Sequence, residues 1–281
     1  MLSQGSTQVR GTLRWKWRRL RTGLRQGRAE LSRLPVVFGN AIPKSGSKLL
    51  FNILLGFQEL GPFVDTGLNE IKPFRDGAPT PQAWINAQLE SLGPGDIRLG
   101  YLAWDPETEA RLCRKGWAVY QILRDPRDTV ISQIFYATEM HKGHALHDYL
   151  RSLPDMEARI EAMIQGIPEG RLRRANIREQ FDRYTPWMKR PEVHLVRYED
   201  LVGRPEQELG LMLGHLRRLG FASGESDEAL VPRLRARMAP AKSETFRKGG
   251  AGGWRQYFTD RNRAQFERVA GDLLRELGYE A

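Results

Sequence analysis

The 281-residue sequence has a single cysteine, Cys113, so no disulfide can close within the chain, and a reducing compartment is expected. It has no apolar run near the roughly 20 residues that a membrane-spanning helix needs. The early positive charges are not followed by an uninterrupted apolar core, which excludes a secretory signal. Internal repeats and low-complexity tracts are missing too. Histidines are few, and His141, His144 and His147 drift around a helix with no cysteine or carboxylate framework beside them, so no metal site is expected. Acidic residues are almost absent from residues 1–33, where nine Arg/Lys meet only Glu30. That tail holds +8 of the net +10, leaving 35 basic against 33 acidic residues elsewhere. The basicity therefore belongs to a tail, and a specific nucleic-acid partner is not expected.

The tail, taken as residues 1–33, reads as a basic amphipathic helix ahead of one domain over 34–281. Leu13, Trp17, Leu20, Leu24 and Leu31 recur at helical spacing, with Arg14, Arg18, Arg21, Arg25 and Arg28 one position on. Residues 13–31 could face an anionic membrane surface, or the helix could pack on its own domain with a solvated arginine face. The expected location is the cytoplasm, peripheral at the inner membrane surface if the first reading holds.

What the chain does have is concentrated in residues 36–51. Val36–Ile42 is an apolar, β-rich run that Pro43 ends, and from Leu49 the apolar residues 49, 50, 53, 54 and 57 form one helix face. The small polar turn between them is how a sheet protein builds an anion seat. Free N–H groups and the positive end of the helix dipole meet there. Gly46 permits close backbone approach, Ser45 and Ser47 bring hydroxyls, and Lys44 and Lys48 bring charge. The turn does not fit G-x-x-x-x-G-K-[ST], because Gly39 and Gly46 are seven apart and the main lysine precedes the glycine.

Three further stretches carry information. A strand is expected to run to Leu123, with Asp125 capping and Pro126 opening a helix. Arg124 then stands at the strand's carboxyl edge and Ser132 two turns into the helix. They could hold a second phosphate, or Arg124 could pair with Asp125 or Asp128. Val193–Leu201 reads as a strand ending in the acids Glu199 and Asp200. Phe246–Thr259 contains Arg247, Lys248 and four glycines in five residues, a backbone able to wrap an anion or serve as a flexible basic linker. The last helix is expected from Thr259–Asp260 to Gly278.

Pro43-Lys44-Ser45-Gly46-Ser47 resembles the 5′-phosphosulfate loop of sulfotransferases that use 3′-phosphoadenosine 5′-phosphosulfate (PAPS). Arg124 and Ser132 resemble that family's 3′-phosphate pair, and Phe246–Trp254 its R-K-G-x-x-G-D-W motif. The resemblance covers most of residues 35–278. It implies an α/β fold, a parallel sheet flanked by helices and related to the nucleotide kinases. It also implies sulfuryl transfer to a hydroxyl or amine, with release of 3′-phosphoadenosine 5′-phosphate (PAP). On that reading Lys44 neutralises charge on the bridging oxygen. Ser45, Gly46, Ser47 and Lys48 hold the 5′-phosphate, Leu49 belongs to the cofactor site beside them, and Arg124, Ser132, Arg247, Lys248 and Gly249 hold the 3′-phosphate. No metal is required. The acceptor is a saccharide, a glycolipid or a small metabolite.

Three departures bear on mechanism. Many members carry a catalytic histidine where this chain has Tyr101, so the base is Tyr101 or a carboxylate, Glu70 or Asp65. Leu49 replaces an aromatic that often stacks on adenine, and Gly253 replaces the aspartate before Trp254. The alternatives are a catalytically impaired nucleotide-binding or membrane-tethered module, and a nucleotide kinase or hydrolase using Glu199–Asp200 for magnesium.

Overall fold

The structure, a computed structural model, describes residues 2–75, 78–167, 170, 172, 174–238 and 250–279. Its strands are β1 (Val36–Ala41), β2 (Val64–Asp65), the hairpin pair β3 (Phe74–Arg75) and β4 (Ala78–Pro79), β5 (Asp96–Gly100), β6 (Trp117–Leu123) and β7 (Val193–Arg197). All but the hairpin join one parallel sheet in the order β2-β5-β1-β6-β7. The apolar runs of β1 and β6 are buried along their whole length, as strands covered on both faces must be.

Alternation divides the core in two. Val36, Phe38, Val119 and Leu123 face one cluster, and Val37, Ala41, Tyr120 and Ile122 face the other. The first cluster is covered by α1 (Leu2–Gln26), α2 (Arg28–Arg33), α4 (Gln82–Glu90), α5 (Pro106–Leu112) and α6 (Pro126–Phe135). Also on that face are α7 (His147–Ser152), α8 (Met156–Gln165), α9 (Ile177–Asp182), α10 (Thr185–Met188) and α14 (Asp260–Glu276). Phe181, Tyr184 and Trp187 are buried there. On the opposite face lie α3 (Ser47–Leu55), α11 (Tyr198–Gly203), α12 (Pro205–Arg218) and α13 (Asp227–Arg237).

Local capping chemistry sets the helix starts. Asp125 accepts from the N–H of Arg127, and Thr259 with Asn262 forms a capping box at α14. One sequence expectation is corrected: β7 stops at Arg197, and Tyr198, Glu199 and Asp200 open α11 rather than ending a strand.

The tail helix also differs from a free appendage. Trp15 is buried in the sheet cluster and its indole N–H donates to Asp96 Oδ1 at 3.0 Å. Arg19 pairs with the same carboxylate at 2.8 Å, and Arg18 with Asp65 at 3.2 Å. Leu13, Trp17, Leu20 and Leu24 point outward instead.

Candidate functional site

The turn after β1 is held by its own backbone. Ser45 is fully buried, and both of its donors go to Ile42 O, the N–H at 3.1 Å and the hydroxyl at 2.6 Å. The hydroxyl also reaches Ile122 O at 3.3 Å, and these bonds lock the turn. Lys44 adopts φ 70°, the left-handed region, and Gly46 φ 98°. A side chain at position 46 would also meet the Tyr198 ring at 2.5 Å, so glycine is required twice over. Ser47 and Lys48 are the first residues of α3, and their N–H groups have no partner within the helix. The turn therefore presents donors and cations at a helix N-terminus, above the carboxyl ends of β1 and β6.

Lys44 is tucked inward. Its ammonium lies 3.7 Å from the centre of the Tyr136 ring, which His141 stacks upon with rings 2° from parallel. A single π turn over Tyr136–Met140 brings residues five apart together, with His141 N–H donating to Tyr136 O at 2.9 Å. Burial first, and then the neighbouring Arg124 charge, push Lys44 down to about 8.

One wall of the cleft comes from β5 and the segment before the hairpin. Ile71 bridges to Gly100 in parallel register, which sets Glu70 beside Tyr101. Arg98 donates to Asn69 O at 2.6 Å and so fixes the backbone just before Glu70. Glu70 pairs with Lys48 at 3.1 Å, and the Tyr101 hydroxyl donates to Ser47 Oγ at 2.9 Å. Burial pushes the Glu70 carboxyl upward, but its own backbone N–H, Lys48 and Lys72 outweigh that and hold it below the usual range. Burial raises Tyr101 and Glu70 adds to the rise, more than Ser47 and Lys48 lower it. Lys48 is thus a nearby cation, yet it does not turn the phenol into a base. Asp65 faces Arg18 of α1 and is not among the cleft-lining residues.

The opposite wall is α6. Asp128, Ser132 and Tyr136 recur every fourth residue and line the cleft together with Gln133 and His144. Arg124, just before the helix, lies 4.2 Å over the Tyr198 ring and donates to Gly250 O at 3.0 Å. Its Nε–H is buried without a hydrogen-bond partner among the described residues. Its nearest approach to Asp128 is 3.8 Å, and Asp125 pairs with Arg127 instead. Asp128 accepts from the N–H groups of Gly252 and Trp254 at 2.8 and 2.9 Å, tying the glycine segment to the start of α6 on either side of Gly253. Arg247, Lys248 and Gly249 lie outside the described residues.

Together these walls enclose a cleft of about 1150 Å³ lined by Lys44, Gly46, Ser47, Lys48, Leu49, Glu70, Tyr101, Arg124 and Ser132. Lys44, Lys48, Lys72, Arg124 and Arg235 bring cations to its lining, and Leu201, Val202 and Met238 add apolar surface. Among the cleft-lining residues, Asp128, Tyr136, His144 and Tyr198 were given no ligand-binding role from the sequence. The signal for the first two was the four-residue recurrence from Asp128, while His144 and Tyr198 arrive through tertiary packing. Glu199 is engaged by Asp125 N–H at 3.0 Å and the Tyr279 hydroxyl at 2.9 Å, and Asp200 by Arg204 at 2.6 Å. Both acids are therefore committed to the fold rather than offered to a magnesium ion. Among the described residues no cluster of acids, histidines or cysteines is arranged as a metal site.

The fold is shared with mouse sulfotransferase SULT7A1 complexed with PAP, at 15% identity, covering 91% of this chain and 90% of that one, with a TM-score of 0.58. It is shared also with retinol dehydratase in complex with androsterone and the inactive cofactor PAP, at 16% identity, 87% and 83% coverage and a TM-score of 0.56. No curated protein matches the chain. Residues 111–278 match the sulfotransferase domain, a segment that includes Arg124, Ser132 and the glycine-rich stretch but not the turn at Lys44. Since that segment is more than half of the chain, the chain belongs to the sulfotransferase domain family.

Proposed function

We propose that the cleft binds PAPS and transfers its sulfuryl group to a hydroxyl or amine of an acceptor, releasing PAP. The observation that carries this reading is the convergence of two cationic seats in one cleft. One is the α3 N-terminus with Lys44 and Lys48; the other is Arg124 with Ser132. The residues suit a bisphosphate donor. Among the described residues, Arg124 has a buried N–H without a hydrogen-bond partner, and Lys44 is a desolvated cation that rests on a ring and makes no ion pair. The structures of SULT7A1 and retinol dehydratase hold PAP, which supports the same donor here.

When bound, PAPS supplies the activated sulfuryl group, so the chain's own contribution is positioning and charge. Gly46, Ser47, Lys48 and Leu49 would seat the 5′ end. Arg124 and Ser132 would hold the 3′-phosphate, with Arg247, Lys248 and Gly249 closing over it. Glu70, the ionised carboxylate, would take the acceptor proton as the new S–O bond forms. Lys44 would meet the charge left on the phosphate oxygen as the old S–O bond breaks. Tyr101 would orient the acceptor and fix Ser47, since its phenol is held in the neutral form.

The acceptor is a saccharide, a glycolipid or a small metabolite, and an anionic membrane surface is the partner of residues 13–31. On this reading the enzyme works in the cytoplasm at the inner membrane face. No helix among the described residues is long and apolar enough to cross a membrane. Incubating the protein with labelled sulfate donor and one acceptor of each class tests the reading. Label should pass to one class and be lost in Lys44→Met. PAP binding with no transfer to any class would favour the impaired-module alternative.

A further inference from the structure

Helix α1 has two opposed faces, one packed on the domain and one exposed. At about 100° per residue, Leu13, Trp17, Leu20 and Leu24 fall within about 60° of one another, while Trp15 lies on the far side, about 200° from Leu13. The Trp15 side is clamped. Its indole and Arg19 share the fully buried Asp96 carboxylate, Arg19 also donates to Pro94 O at 2.8 Å, and Arg18 reaches Asp65. The opposite stripe is bare, with Leu13 62%, Trp17 62%, Leu20 49% and Leu24 68% exposed. Large apolar residues scattered singly are ordinary on a surface, but four in one row on one helix are not.

The chemistry around the stripe identifies what it fits. Helix α1 contains seven Arg/Lys and no acidic residue. Arg14, Lys16, Arg21 and Arg25 are exposed, and Arg21 lies 5.8 Å over the Trp17 ring. An apolar row carrying a tryptophan, bordered by cations, matches the boundary between headgroups and acyl chains of an anionic bilayer.

We infer that α1 lies on an anionic bilayer through Leu13, Trp17, Leu20 and Leu24 while its Trp15 face stays clamped to the domain. The whole domain is thereby held in one orientation on the lipid, rather than tethered by a released tail. This rests on the reading of residues 13–31 as membrane-facing and adds the face, the residues and the fixed geometry. Packing on the domain and binding lipid, which the sequence presents as alternatives, occupy different sides of the same helix.

Two measurements separate the possibilities. The first is sedimentation at low salt with vesicles of mixed phosphatidylglycerol and phosphatidylcholine, or of phosphatidylcholine alone. The full-length protein should sediment only with the anionic vesicles. Replacing Leu13, Trp17, Leu20 and Leu24 together by Gln should cut partitioning roughly tenfold or more, with the melting temperature and PAP binding unchanged. The second uses brominated lipids to quench tryptophan. Quenching should be lost in Trp17→Phe and kept in Trp15→Phe. Absence of sedimentation with anionic vesicles overturns the membrane reading itself. Sedimentation with quenching shared by Trp15, or with a melting temperature lowered by vesicles, leaves that reading standing and overturns the fixed docking. Sedimentation undiminished in the fourfold variant overturns the assignment of the stripe.

Discussion

Replacing Lys44 by Met should stabilise the ligand-free protein while removing its activity. The ammonium is desolvated in the cleft and has a ring rather than a carboxylate beside it, so its pKa falls from 10.5 to about 8. A shift of that size corresponds to about 3 kcal/mol, which water at the cleft mouth reduces to about 2 kcal/mol. The sign follows from proton binding. Between about 8 and 10.5 the unfolded chain binds more protons at this lysine than the folded one, so stability rises with pH through that window. Below pH 8 the folded state carries the full penalty, and Met, similar in length and apolar, does not. Urea unfolding at pH 7 should therefore show Lys44→Met more stable by about 2 kcal/mol, and the gap should shrink as the pH is raised to about 9.5. Sulfuryl transfer should drop by roughly 10²-fold or more, because the lost charge acts where charge develops. Equal stability of the two proteins at pH 7, or a gap that does not narrow at alkaline pH, would refute the picture of Lys44 as a desolvated cation held ready for an anion.

The other predictions concern neighbouring groups. Glu70→Gln should reduce turnover by roughly 10²–10⁴ and remove the acid limb of the rate profile, while Tyr101→Phe should be mild, as pH–rate measurements on both would show. Asp128→Ala frees the N–H groups of Gly252 and Trp254 and should weaken PAP binding about tenfold by calorimetry, with a smaller effect on adenosine 5′-phosphate. Deleting residues 1–33 removes Trp15 and Arg19 from the buried Asp96 carboxylate, so the melting temperature should fall by several degrees even without lipid.

Much of the fold was legible because its signals are local. The β1 and β6 runs, the Asp125–Pro126 start of α6 and the Thr259 cap of α14 are each written in a few adjacent residues. The turn at Pro43–Ser47 was legible for the same reason. What the sequence could not supply is which side of an element meets which partner. Helical spacing groups Leu13 with Trp17 and Leu24, yet the face that packs is set by one tryptophan, Trp15, and by Asp96 eighty-one residues away. Glu70 reaches Tyr101 only through the register of Ile71 with Gly100, and Asp65 is drawn off by Arg18. Ser45 reads as a ligand hydroxyl in any small polar turn; only the position of Ile42 O shows that its donors are already used.

The 3′-phosphate seat is the central claim, because it distinguishes a PAPS site from any other phosphate-binding turn. Calorimetric titration with PAP and with adenosine 5′-phosphate tests it directly, in the wild type and in Arg124→Gln. Two cationic seats predict that PAP binds at least about tenfold tighter than adenosine 5′-phosphate, and that Arg124→Gln removes most of that difference while leaving adenosine 5′-phosphate binding nearly unchanged. Equal affinities for the two nucleotides in the wild type would contradict it.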